Sequence, residues 1–134
     1  MPKSYLNPDN LFQSTQYGFS QIVKSRDGTT IYMSGQVAWD DDGTLVGAGD
    51  LAAQTAQVFR NLRKILAHAG ATPADVVRMR TYVVGHTPDK LDIIGPAIAA
   101  FFGDATPSAN TLVGVAVLAL PEFLIEVEVT AVLD

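Results

Sequence analysis

PSANTLVGVAVLALPEFLIEVEVTAVLD, from Pro107 to Asp134, is the stretch whose reading decides the fold. It reads as two strands joined by a short turn at Leu120-Pro121-Glu122, and the second strand sets Glu126 and Glu128 in an otherwise apolar run. Strand side chains alternate, so Glu126, Glu128 and Thr130 share one face while Ile125, Val127, Val129 and Ala131 share the other. A carboxylate left unpaired in a dry interior is costly, so each glutamate is paired, close to water, or functional.

The neighbour that would pair them lies upstream. Val76 to Val84 reads as a strand with Val77, Met79, Thr81 and Val83 on one face and Arg78, Arg80 and Tyr82 on the other. If the two strands are adjacent, ion pairing with Arg78 or Arg80 is the structural explanation of Glu126 and Glu128. Two helices flank this strand. Asp50 is a good N-cap, Leu51, Thr55, Val58, Leu62, Ile65, Leu66 and Ala69 recur at helical spacing, and Gly70 closes the helix. Phe59 and His68 flank that stripe, and His68 reads as structural. The second helix follows His86-Thr87-Pro88-Asp89 and ends near Phe101-Phe102-Gly103, with Leu91, Ile94, Ile98 and Phe101 inward. Gly95-Pro96 either kinks it or marks its start, because proline lacks the N–H and clashes with the preceding turn.

At the other end, residues 1–15, with Pro2 and Pro8, read as an irregular lead-in. Tyr17 to Val23 and Thr29 to Val37 read as a hairpin turning at Ser25-Arg26-Asp27-Gly28. Gly35, within Ser34-Gly35-Gln36, permits a bulge or a close approach of backbone to another group, or simply relieves twist. Asp40-Asp41-Asp42-Gly43 lacks the calcium-loop spacing and its terminal glutamate, so it reads as a solvated turn. The order is β-β-β-α-β-α-β-β, an α+β fold in one domain spanning residues 1–134. Two helices cover only one face of such a sheet, and the other face is expected to pack against further subunits.

Composition narrows function by exclusion. The net charge is −5, and the densest basic cluster, Arg60, Arg63 and Lys64, falls on one helix turn as a solvated face, so nucleic acid is not an expected partner. The chain has no cysteine, which removes thiolate nucleophiles and Cys-ligated metal sites. No phosphate loop, G-x-S-x-G or H-E-x-x-H motif appears, and no metal or cofactor is expected. The N-terminus lacks an apolar signal region and no run is long enough to span a bilayer, so a cytoplasmic protein away from membranes is expected.

SGQ at Ser34 to Gln36, GDLAAQTAQVFRNLRKILAHAG from Gly49 to Gly70, and TLVGVAVLALPEFLIEVEVTAV near the end, in this order and spacing, resemble the Rid (YjgF) family. The resemblance implies a chorismate-mutase-like fold, a mixed sheet with two helices on one face, and a homotrimer with small-molecule clefts between subunits. It also implies hydrolysis of enamines and imines such as 2-aminoacrylate, releasing ammonia without a cofactor. In the best-characterised branch an arginine within P-A-R-S holds the substrate carboxylate, and a glutamate of the last strand positions the attacking water. On this chain that glutamate falls on Glu126 and the S-G-Q turn on Ser34 and Gly35. The arginine falls on Asn110, within Ser108-Ala109-Asn110-Thr111. The family's tyrosine after Gly-Pro is Phe19, and an asparagine of its second helix is Gly95. The chain thus resembles the branches that lack the arginine.

The resulting expectation is an imine or enamine hydrolase of altered specificity. Glu126 is its base or water orienter, backbone groups near Ser34-Gly35 and Asn110-Thr111 hold the substrate, and Phe19 forms an apolar wall. Its apolar neighbours Leu124, Ile125 and Val127 would raise the Glu126 pKa toward a working value. The alternative is a ligand-binding or regulatory trimer that kept the cleft without the chemistry. A ribonuclease is disfavoured by the acidic charge and the lack of a histidine pair.

Overall fold

A computed structural model describes residues 3–134. Helix α1 runs Leu51–His68, and the Asp50 carboxylate caps it by accepting from the Ala53 N–H at 3.0 Å. Its buried stripe holds Val58, Leu62 and Leu66, and Phe59, expected at the flank, is buried too, its ring 5.2 Å from that of Phe101. His68 is exposed. Helix α2, Leu91–Phe102, runs continuously through Pro96 instead of starting there, and buries Ile94, Ile98, Phe101 and Phe102. Leu91, expected on the inner side, is 47% exposed at the first residue of the helix.

Six strands accompany the helices: β1 Lys3–Leu6, β2 Ile22–Ser25, β3 Thr29–Tyr32, β4 Val76–Val84, β5 Ala109–Val115 and β6 Ile125–Leu133. Four of them form a mixed sheet in the order β3-β6-β4-β5, in which only the β4–β5 pairing is parallel. Both helices pack on one face of this sheet, against Met79, Val83, Ile125, Val127 and Val129. This is the α+β, chorismate-mutase-like fold.

Several local expectations are corrected. The lead-in is not irregular throughout: Lys3–Leu6 pairs with β2 as a separate two-stranded sheet, while Met1 and Pro2 lie outside the described residues. Lys3 anchors it, buried, with Nζ donating to the Asp134 carboxylate at 2.7 Å. Consequently β2 and β3 are not a hairpin; β2 pairs with β1, and β3 pairs with β6. Nor does a strand start at Tyr17, since Thr15–Tyr17 is a single 3-10 turn. Asp27 and Gly28 both have positive φ (61° and 82°), and a side chain at residue 28 would collide with the Leu133 carbonyl, so that turn packs on the end of β6. Three strands do precede α1, but the additional one is Lys3–Leu6 at the start; the segment after Val37, where a short strand was expected, forms only a bridge between Trp39 and Leu45.

The last two strands are not joined by a short turn either. A nine-residue connection, 116–124, carries the chain from β5 at the sheet edge over β4 to β6, so β4 separates them. On β4 a bulge between Val76 and Arg78 turns Val76 into the core and leaves Val77 half-buried, against the expected alternation. The other face of the sheet is open. It carries Arg78, Arg80 and Tyr82 of β4, Glu126 and Glu128 of β6, and Tyr32, which is 83% exposed. No helix among the described residues is long and apolar enough to cross a membrane.

Candidate functional site

The antiparallel register sets each glutamate opposite a particular partner: Glu128 faces Arg80, and Glu126 faces Tyr82. The Tyr82 hydroxyl donates to Glu128 Oε1 at 2.8 Å, and an Arg80 guanidinium nitrogen lies 4.0 Å from the same oxygen. This hydrogen bond to a carboxylate, more than burial, raises the Tyr82 pKa. Arg78 is engaged elsewhere, donating to Thr111 Oγ1 at 2.9 Å. Pairing therefore accounts for Glu128 and not for Glu126. Among the described residues Glu126 has neither an ion pair nor a side-chain hydrogen bond.

What Glu126 has instead is a seat. Tyr32 pairs with Thr130 but Gln36 pairs with Val127, so four steps along one strand match three along the other, a bulge of one residue. The Gln36 N–H donates to the Val127 carbonyl at 2.8 Å and the Val127 N–H returns the bond at 3.1 Å. Gly35 sits within this bulge, directly against the Glu126 side chain. A Cβ there would lie 2.8 Å from Cδ and 2.9 Å from Cγ, and closer still to Oε2. The missing side chain at residue 35 is thus the space the carboxylate occupies. Half-burial, and secondarily the charge of Glu128, push the Glu126 pKa above the ordinary glutamate value. Ser34 is exposed beside it, its carbonyl accepting from the Gln36 side chain at 3.2 Å.

The remaining expected residues lie elsewhere. Asn110 of β5 pairs in parallel register with Met79, a core residue, whereas Thr111 pairs with Arg80 on the open face. Asn110 therefore faces the helix side, opposite to Glu126, and its Oδ1 accepts from Thr81 Oγ1 at 3.3 Å. There it borders a cavity of about 610 Å³ between α2, β5 and the segment around the 3-10 turn, lined also by Phe12, Tyr17, Phe19, Leu91 and Gly95. A single chain thus carries two separate groups: Glu126 with Ser34 and Gly35 on the open face, and Asn110 with Phe19 in the cavity. Thr111 belongs to neither, being bonded to Arg78.

One positioning residue was not anticipated. Gln54, fully buried in α1, donates to the Gly47 and Glu122 carbonyls at 3.1 and 3.0 Å and accepts from the Leu124 N–H at 2.9 Å. It ties the helix to the segment entering β6, two residues before Glu126. Its one sequence signal is a glutamine beside the apolar stripe, near the helix start. The three aspartates 40–42 converge within 4.8 Å, but Asp40 accepts from the Asp42 and Thr44 N–H groups, as a solvated turn does.

Residues 12–133 match the model of the family described as Endoribonuclease L-PSP. Among solved structures, YyfB of Yersinia pestis, described as a protein of unknown function of the conserved Rid protein family, superposes with a TM-score of 0.96. It is 52% identical, over 99% of this chain and 100% of that one. A RutC family protein of Pyrococcus abyssi is 33% identical over 84% of each chain. A protein of Dermatophagoides farinae named 2-iminobutanoate/2-iminopropanoate deaminase is 28% identical over 75% of this chain and 74% of its own.

Proposed function

The chain belongs to the Rid (YjgF) family, and on that premise we propose that it hydrolyses an imine or enamine, releasing ammonia, at a cleft completed by a second copy of itself. The observation that carries the reading is the Glu126 carboxylate, half-buried, without a cationic partner among the described residues, and seated against Gly35. A carboxylate so placed is suited to general-base work, because burial raises its affinity for the proton it must take.

In the proposed reaction Glu126 takes a proton from water as the water oxygen bonds to the C=N carbon. The π electrons move to nitrogen, giving a carbinolamine. The carbinolamine is neutral once Glu126 returns that proton to nitrogen. Glu126 then takes the hydroxyl proton and passes it to the amine nitrogen, and collapse of the C–O bond to C=O expels ammonia, so imine and water become ketone and ammonia. An enamine enters after protonation at carbon. The relative from Dermatophagoides farinae that is named an imine deaminase supports this chemistry.

A second copy is needed because Glu126 and Asn110 occupy opposite faces of one sheet. In a homotrimer with inward sheets, the β5 edge that borders the cavity of one protomer would lie against the open face of the next. The specificity differs from a carboxylate-binding site in that Asn110 offers an uncharged amide. The test is ammonia release from a panel of enzymically generated imines by wild type and Glu126→Gln. Equal rates in the two proteins would defeat the reading.

A second reading, a trimer that binds ligand without turning it over, is favoured by the absence of a charged anchor beside Asn110 among the described residues. Ligand binding with no ammonia release from any imine of the panel would select it.

A further inference from the structure

We infer that the cavity beside α2 binds a neutral small molecule, a ketone or imine with an apolar body and one hydrogen-bond acceptor, in preference to a carboxylate-bearing one. This deepens the proposed hydrolase by naming its substrate class, and rests on that reading only where the bound molecule is to be turned over.

Size comes first. About 610 Å³ lies within the range of small-ligand clefts, roughly 300–1,000 Å³. The walls are apolar: Phe19, Ile94, Ile98 and Leu112, together with the Phe12 and Tyr17 rings, which stack at 5.3 Å. The polar side chains that line it are Gln16, Tyr17 and Asn110, with no lysine, arginine, histidine or carboxylate among them. Asn110 spends its Oδ1 on the Thr81 hydroxyl, which leaves the Nδ2 hydrogens without a protein acceptor among the described residues. A carbonyl oxygen or imine nitrogen accepts from such a donor.

Gly95 supplies an independent observation. A glycine in a helix interior costs about 1 kcal/mol relative to alanine, so its presence in α2 asks for a reason. Packing gives none, since a Cβ built at residue 95 meets nothing within 4 Å. Its φ is not in the left-handed region either. Gly95 instead borders the cavity, and its missing side chain keeps that space open.

Charge decides the class. A carboxylate entering these walls gives up hydration and meets no compensating cation among the described residues that line them. In the same copy Arg78 and Arg80 stand on the far face of the sheet, and Lys90 Nζ is held by the Val84 and Gly85 carbonyls at 3.2 and 2.8 Å. In a neighbouring copy that brings its open face to the cleft, Arg78 donates to its own Thr111, Arg80 lies 4.0 Å from Glu128, and Glu126 adds a carboxylate.

The test is calorimetric titration with 4-phenylbutan-2-one and 2-oxo-4-phenylbutanoate, which differ by a methyl against a carboxylate on the same ketone. Wild type is expected to bind the neutral ketone at least about tenfold more tightly, and Asn110→Arg to reverse the order. Gly95→Leu fills the open space and is expected to lose both ligands while its melting temperature holds or rises. Equal or tighter binding of the carboxylate by wild type, or undiminished binding by Gly95→Leu, overturns the inference. So does failure of both ketones to bind wild type, the result expected if a neighbouring copy fills the cavity. The preference for the neutral ketone without ammonia release would instead defeat the hydrolase reading alone.

Discussion

Gly35→Ala is the perturbation whose outcome the geometry defines most sharply. The added methyl would stand 2.8 and 2.9 Å from Glu126 Cδ and Cγ and overlap Oε2 outright. Something must move, and the Glu126 side chain is the flexible partner, since residue 35 is bound into the sheet through the Gln36–Val127 bridge. The backbone has no objection to alanine, because Gly35 is not among the glycines with positive φ. The cost in stability is therefore that of an off-rotamer glutamate, about 0.5–1.5 kcal/mol at most, since the carboxylate can swing toward the open face. Activity should suffer far more. A base displaced by about 1 Å can lose on the order of 100-fold in rate. The assay pairs ammonia release with thermal unfolding, on wild type, Gly35→Ala, Glu126→Gln and the double variant. The expected pattern is a kcat for Gly35→Ala close to that of Glu126→Gln, with a double variant no worse than either, because both changes remove the same positioned carboxylate. Wild-type kcat in Gly35→Ala, or losses that multiply in the double variant, would refute the seat as the device that positions Glu126.

Other consequences follow from the same contacts. Glu126 binds its proton more tightly folded than unfolded, so its contribution to stability is complete below the ordinary pKa of 4.5 and is lost as pH rises through the raised value. Glu126→Gln should therefore be the more stable protein at neutral pH, with the gap closing below pH 4.5, measured by urea unfolding across pH. The acid limb of the wild-type rate profile should lie above the ordinary glutamate range for the same reason. Gln54→Ala should cost about 2–4 kcal/mol in chemical denaturation, because it leaves the Leu124 N–H and two carbonyls without their partner. Arg80→Ala should change stability by less than about 1 kcal/mol, its contact to Glu128 being 4.0 Å long and its side chain 53% exposed.

The two helices and the glutamate strand were legible because their signals are local: apolar spacing, the Asp50 cap, Gly70 after α1, and alternation through Ile125–Leu133. Strand pairing was not. Nothing in Leu120-Pro121-Glu122 states that β4 will lie between β5 and β6, and that placement depends on α2 carrying the chain across in parallel. Lys3–Leu6 read as lead-in because its partner for burial, Asp134, is at the opposite end of the sequence. Within the site, the parity that separates Glu126 from the core is visible in the sequence. The parity that sends Asn110 to the opposite face comes from its register against Met79, a tertiary fact. The role of Gly35 was legible only as a permission for close approach, and the group that approaches is the Glu126 carboxylate.

The central claim, that one copy supplies Glu126 and another supplies the cavity, is tested most directly by subunit mixing. Glu126→Gln and Gly95→Leu proteins, each expected to be inactive alone, are unfolded together, refolded as mixed oligomers and assayed for ammonia release. Composite sites predict recovery of about a quarter of wild-type activity at equal mixing, since a given interface pairs an intact Glu126 with an intact cavity in about that fraction of cases. Activity no greater than that of the separate parents, with mixed oligomers verified by mass, would contradict it.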